Sequence, residues 1–351
     1  MSFPQTEGGA VMNITTYGLD IAKRVFQLYW VDIKSGEIHN RKFGKQELLE
    51  FLSQREAGLI ALEACGSAHW WRRKLMALGH EVKLIHAKFV RPFVQTNKTD
   101  AADAKAIWTA IRQPGMRTVA GKTEEQQAML ALHRMRMSLI KFRTVQVNQL
   151  RGLLYEFGVT LKGGRLAGLS EMQQRMAEIE ETVPGILFEA MKEQLQRLAD
   201  IEADIQDIER RIKAWQKQQE ACRKISEIPG VGMLTATALV ATMGDANGFK
   251  SGREFAAFVG LVPRQSGTGG KVKLLGISKN GDTYLRTLLI HGARAVMFKA
   301  KDKGEWCEEL LKRRPTNVAI VALANKMART AWAILAHGRE YQKDYVSVMP
   351  A

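Results

Sequence analysis

Residues 96–105 read TNKTDAADAK, so Asp100 and Asp103 stand three apart just after a lysine-containing turn. On a helix, positions i and i+3 share a face, and two carboxylates held there repel. A basic side chain or a divalent cation relieves such a pair. The ordinary alternative is a helix start, with Thr99 as N-cap and both aspartates in the first turn, where the helix dipole favours negative charge. Asp20 in YGLDIAK and Glu63 in LIALEACGS pose the same question more sharply. Each closes an apolar, strand-like run, where a carboxylate is costly to bury unless it is paired or binds a metal. An acid ending the first strand, an acid ending the fourth and a D-x-x-D helix make an oxygen-rich set. Such a set suits two Mg²⁺ ions, which clamp the attacking and leaving oxygens of a phosphoryl transfer.

A second group of reactive side chains lies about 160 residues downstream, in GLVPRQSGTGGK. Ser266 is the only serine of that glycine-rich loop, and Thr268 is its other hydroxyl. Glycines let a phosphate backbone approach, and Arg264 and Lys271 can neutralise it. The alternative is a glycine hairpin turn with incidental hydroxyls. Ser278 in GISKNGD reads as an N-cap or a phosphate contact. In SEIPGVGMLTATALVATMGD a Pro-Gly-Val-Gly turn separates two helical stretches. That is the pattern of a helix-hairpin-helix, in which Gly230 and Gly232 would offer backbone N–H groups to a DNA phosphate; a plain helix–turn–helix packing unit reads the same way. Lys98, Lys273, Lys279 and Arg286 complete the candidate nucleic-acid contacts.

Elements must bring these groups together. From residue 13 the chain alternates apolar and polar residues through two runs, with KSGE turning into a third, which predicts an antiparallel meander. A short amphipathic helix over about 45–54, a buried strand LIALEA, a helix from near His69 and a strand EVKLI follow. The order predicts an α/β domain with a mixed sheet over residues 12–115, with Asp20 and Glu63 facing each other at neighbouring strand ends. Beyond the QPG turn, residues 116–223 lose strand character and read as charged helix. There Ile201, Ile205, Ile208, Ile212 and Trp215 recur at steps of four and three. That is a coiled-coil seam, closed either as a hairpin within the chain or as a spacer between two copies. Residues 224–345 read as a mainly helical third region, with helices from about Asp282 onward.

The chain has 351 residues, 52 Lys+Arg against 36 Asp+Glu and a net charge of +16, which points to a polyanionic partner, nucleic acid ahead of a membrane. Three cysteines, Cys65, Cys222 and Cys307, are far apart, and the seven histidines show no ligand spacing, which argues against a zinc enzyme. No run approaches the roughly 20 apolar residues of a spanning helix, and no signal segment is evident, so a cytoplasmic protein is expected.

The carboxylate set resembles that of ribonuclease H-like nucleases such as the RuvC resolvase. The whole chain, over about residues 13–340, resembles the transposases of the insertion sequence 110 family, within them the insertion sequence 1111 subgroup. The resemblance rests on GLDIAK, ALEACGS, NKTDAADAKAI, IPGVGMLTATAL, FAAFVGLVPRQSGTGGK, GISKNGDTYLRTLLIHGARAV and NKMARTAWAIL. It implies a RuvC-like (RNase H-like) α/β domain, a coiled-coil connection and a C-terminal transposase domain. It also implies an RNA-guided recombinase in which a noncoding RNA pairs with both target and donor DNA. The family's four acids fall on Asp20, Glu63, Asp100 and Asp103. Its nucleophilic serine falls on Ser266, although counting from Pro263 puts Thr268 where some relatives carry it; β-branching makes threonine the more hindered attacker. Because serine and acids come from separate domains, either the domains fold together or subunits share a site. A dimer, or a tetramer on paired DNA, is the expectation. The competing reading is a Mg²⁺-dependent junction-resolving nuclease without a covalent intermediate; a third is a noncatalytic RNA-binding protein.

Overall fold

The computed structural model describes residues 14–343 except 96, 98 and 163 and the side chains of 165–167, and it divides into two compact units, Met1–Thr123 and Glu124–Ala351.

The first unit is a six-stranded mixed sheet with helices on both faces. Strands β1 (Thr16–Ile21), β2 (Phe26–Val31) and β3 (Ile38–Phe43) form the expected antiparallel meander, and α1 (Lys45–Ser53) leads to β4 (Leu59–Glu63). Helix α2 (Ala68–Ala77) leads to β5 (Glu81–Ile85), and α3 (Ala87–Val90) and α4 (Asp100–Ile111) precede β6 (Thr118–Val119). The sheet order is β3-β2-β1-β4-β5-β6, with β4 and β5 parallel to β1 and β6 antiparallel to β5. Strand β6 was not foreseen: two residues are too short to leave a periodic signal.

Strand alternation sorts the side chains between the faces. Tyr17, Leu19, Phe26, Leu28, Trp30, Ile60 and Leu62 pack with Leu48 and Leu52 of α1 and Trp71 and Leu75 of α2. The residues between them, among them Gly18, Asp20, Gln27, Ala61 and Glu63, turn to the opposite face. There Ala61 and Ile85 pack with Ala106, Ile107 and Ala110 of α4. A Cβ on Gly18 would stand 2.3 Å from the Ala104 carbonyl and 2.6 Å from the Trp108 nitrogen, so only glycine lets the α4 backbone lie this close to β1.

The second unit is helical apart from one hairpin. It comprises α5 (Glu124–Glu156), α6 (Arg165–Gln174), α7 (Met176–Thr182), α8 (Gly185–Gln218), α9 (Glu220–Ser226), α10 (Met233–Met243) and α11 (Gly252–Val259), then β7 (Pro263–Thr268) and β8 (Lys271–Ile277), then α12 (Thr283–Lys299), α13 (Glu305–Arg313) and α14 (Thr316–His337). The isoleucine seam lies on α8, where Ile205, Ile208 and Ile212 are buried. Met129 of α5 shares a cluster with Ile208 and Ile212, Arg136 of α5 pairs with Glu209 at 2.6 Å, and Arg143 pairs with Glu202. The pairs run in opposite order along the two helices, so α5 and α8 are antiparallel. Within the chain, Ile208 and Ile212 of this seam are thus packed against its own α5, as in the hairpin reading. Helices α10, α11, α12 and α14 enclose the core. Among the described residues α14 is the one helix long and apolar enough to cross a membrane by length and composition; Ala319, Ile320, Ala324, Met327, Ala328 and Ala331 of it are buried in that core.

Candidate active site

The four acids gather at one end of the first sheet. Leu19 pairs with Leu62 in the parallel β1–β4 register, so Asp20 and Glu63 follow at the next positions of two neighbouring strands. Thr99 caps α4 as expected: its Oγ1 accepts from the Ala102 nitrogen at 3.2 Å, and Asp100 and Asp103 occupy the first turn. Burial raises the Asp20 carboxyl to about 6, and Asp103, Asp100 and Glu63 push the same way. Glu63, Asp100 and Asp103 thus lie close enough to Asp20 to oppose its charge. Beside it, burial and the charges of Glu63 and Asp20 raise the Cys65 thiol. Among the described residues no three His, Cys, Asp or Glu side chains converge tightly enough to hold an ion as they stand. The donor set itself, three carboxylates near a partly buried Asp20 at a strand end, fits a hard divalent cation.

The GLVPRQSGTGGK segment is the glycine hairpin given above as the alternative, from Pro263 onward. It forms the β7–β8 hairpin, turning through Gly269 and Gly270 with φ of +58° and +82°, the conformation of a type I′ turn that glycine pairs favour. Ser266 lies opposite Lys273 and Thr268 opposite Lys271. Cross-strand partners share a face, so both hydroxyls and both lysines are displayed together. A register shift between Pro263 and Gln265 surrounds Arg264. Every residue of β7 is exposed, as are Lys271 and Lys273.

Several other candidates take different places. Arg286 is 8% exposed and donates to the carbonyls of Val259 and Asn280, each at 2.9 Å, and to Thr283 Oγ1. That guanidinium is occupied in holding the 278–282 segment against α11, which corrects its reading as a phosphate contact. Ser278 does not cap α12: Asp282 does, accepting from the Leu285 nitrogen at 3.0 Å. Lys279 is exposed with a left-handed φ of 55°. The turn between α9 and α10 packs Gly230 against α12, where a Cβ would meet the Gly292 carbonyl at 2.7 Å; Gly232 is the exposed residue that begins α10. Lys98 lies outside the described residues. Residues that the spacing argument passed over are Gly18, Gln27 and Asn40, on the same sheet face as the acids. A polar Gln27 between buried Phe26 and Leu28 was the visible signal for one of them.

A mixed sheet of this order with acids at its strand ends and on the following helix fits a DEDD, RNase H-like domain, followed here by a helical unit. A family profile for DEDD transposases of the IS110 group, described as "Transposase", matches residues 17–158, and one described as "Transposase IS116/IS110/IS902 family" matches residues 222–306. A probable family 20 transposase of Pseudomonas aeruginosa is 44% identical over 94% of this chain and 99% of its own length. The transposase for insertion sequence element IS1111A of Coxiella burnetii is 39% identical over 95% and 93%, and that for IS1328 of Yersinia enterocolitica 38% over 94% and 99%. The chain belongs to the IS116/IS110/IS902 family of transposases, enzymes that cleave and rejoin DNA to mobilise an insertion sequence.

Proposed function

We propose that this transposase is an RNA-guided recombinase in which Asp20, Glu63, Asp100 and Asp103 hold Mg²⁺, two ions per site, and Ser266 is the nucleophile. The observation that carries the reading is the placement of Asp20 and Glu63 at the ends of two neighbouring strands, with Asp100 and Asp103 in the first turn of α4, where Glu63, Asp100 and Asp103 all oppose the charge on Asp20. Bound there, divalent cations supply charge stabilisation for the oxygens of a phosphoryl transfer. The chain's own residues do the rest. The Ser266 hydroxyl forms a phosphodiester with one DNA strand and displaces a deoxyribose hydroxyl, so the bond energy is kept for rejoining. Lys273 across the hairpin and Lys271 beside Thr268 neutralise the phosphate, with Arg264, Lys279 and the N-terminus of α10 at Gly232 as further phosphate contacts. Guidance by a noncoding RNA that pairs with donor and target DNA rests on the resemblance to the family, and the net charge of +16 suits both nucleic acids. Because the serine and the acids belong to separate units, the working assembly is a dimer, or a tetramer on paired DNA, in the cytoplasm.

The test is a covalent adduct. With guide RNA, matched DNA and Mg²⁺, the protein should form a denaturant-resistant adduct mapping to the peptide that contains QSGTGGK. Ser266→Ala and Asp103→Ala should each eliminate it, Asp103→Ala with folding and RNA binding retained, while Thr268→Ala only weakens it. The reverse pattern makes Thr268 the attacking group. Cleavage to free ends indifferent to both hydroxyls makes water the nucleophile and the protein a junction-resolving nuclease.

A further inference from the structure

Gln27 is a buried polar residue beside the carboxylates that their cation-holding role leaves unexplained. It interrupts β2 between the buried Phe26 and Leu28 and is itself 3% exposed. In the β1–β2 register it lies directly opposite Asp20, so the two side chains rise from the same face of the sheet, the one that α4 covers. Its Nε2 donates to Asn40 Oδ1 at 2.5 Å, and Asn40 Nδ2 donates to the Ala101 carbonyl at 3.1 Å. Ala101 sits in the first turn of α4, between Asp100 and Asp103.

The far end of this chain of hydrogen bonds fixes its direction. A carbonyl only accepts, so Asn40 must turn its NH₂ to Ala101 and its oxygen to Gln27. Gln27 must then turn its own NH₂ to Asn40. What remains is Gln27 Oε1, buried and without a hydrogen-bond partner, on the residue facing Asp20. Flipping either amide would break the contact to Ala101 or set two like groups together. A buried acceptor calls for a donor. The ionisable groups gathered here, Asp20, Glu63, Asp100 and Asp103, only accept when ionised. Water on a carboxylate-held cation is the donor that this neighbourhood would bring.

We propose that Gln27 and Asn40 are a positioning pair for the cation site. Gln27 Oε1 accepts from a cation-bound water beside Asp20, and the same amide, through Asn40, holds the turn of α4 that carries Asp100 and Asp103. The inference rests on the reading that the four carboxylates bind a divalent cation.

The experiment measures Mn²⁺ binding to the full-length protein by calorimetry and by the water-proton relaxation of the bound ion, together with melting in EDTA. The variants are Gln27→Met, which keeps the length of the side chain without its polar end, and Asn40→Asp, which cannot donate to Ala101. Each should weaken Mn²⁺ binding about tenfold, the size of effect that outer-shell partners of metal sites have. Relaxation should also change in Gln27→Met, because Gln27 Oε1 is the group that accepts from the ion's water. Gln27→Met removes an unpartnered acceptor but also the hydrogen bond to Asn40, so its melting in EDTA should stay near that of the wild type. Asn40→Asp carries the same binding prediction should Gln27→Met fail to fold. Wild-type affinity and relaxation in both variants would overturn the role of the pair alone. A wild-type protein that binds no Mn²⁺, and so behaves like Asp103→Ala, would overturn the cation site and the pair together.

Discussion

Gly18 and Asp20 state the design of the first unit at the level of single residues. Asp20 carries a charge that burial and three neighbouring acids oppose, and Gly18, two positions before it, lets α4 bring two of those acids close. Replacing Gly18 with alanine sets a methyl group 2.3 Å from the Ala104 carbonyl, and backbone on both sides leaves α4 no choice but to lift. Overpacking of this kind costs about 1–3 kcal/mol. Gly18→Ala should therefore lower the melting temperature of the unit and reduce DNA cleavage by more than the loss of folded protein explains, because Asp100 and Asp103 move with the helix. Thermal melting and cleavage at saturating Mg²⁺ check this together; cleavage that falls only in step with folded fraction would show that the close approach serves packing alone. The acids were legible because carboxylates ending apolar runs are expensive, and Thr99 because caps are local. Arg286 was not, since an arginine buried among carbonyls has the same sequence appearance as one facing solvent.

Single elements show where local pattern stops being informative. The meander, β4, α2, β5 and α4 follow from alternation and capping, which are properties of neighbouring residues. The sequence leaves the β7–β8 segment open between a glycine-rich loop and a glycine hairpin turn; the hairpin forms because two consecutive positive-φ glycines are what a two-residue turn requires. The Gln27–Asn40–Ala101 connection spans β2, β3 and α4, so it exists only once register is set. A similar connection in the second unit makes a pH prediction. His133 of α5 is buried, with Nδ1 2.8 Å from the Tyr284 hydroxyl of α12 and Nε2 3.0 Å from Thr237 Oγ1 of α10. Thr237 gives its own proton to the Met233 carbonyl, so it accepts from Nε2–H and leaves Nδ1 to accept from tyrosine. Burial, with Arg136 nearby, lowers this imidazole to about 4 from an unfolded value of 6.5. The unfolded chain thus takes up the proton first: stability is complete above pH 6.5 and falls as pH drops from 6.5 to 4, by up to about 3 kcal/mol. His133→Gln should flatten that part of the pH profile of melting; an unchanged slope would mean that other groups set it.

For the whole molecule the question is where the charge of +16 is available. Much of the basic character of the helical hairpin is compensated in place: Arg210 and Arg211 share Asp207, Arg136 meets Glu209, and Arg175 is held by Glu171 and Glu178. Arg264, Lys271, Lys273 and Lys279 make no such ion pair among the described residues, and all four are exposed. Part of the uncompensated charge is thus displayed where two hydroxyls stand, on a hairpin with no acidic side chains of its own. Binding nucleic acid there must release condensed counterions, and six or more phosphate contacts would lower affinity roughly a thousandfold between 50 and 200 mM salt. Replacing Lys271 and Lys273 together by glutamine should make the slope of log affinity against log salt shallower by about 2, and should weaken binding to matched and unmatched DNA alike, because phosphates carry no sequence. Filter binding across a salt series decides it. An unchanged slope would place the hairpin away from the backbone, and a loss confined to matched DNA would make these lysines readers of sequence instead.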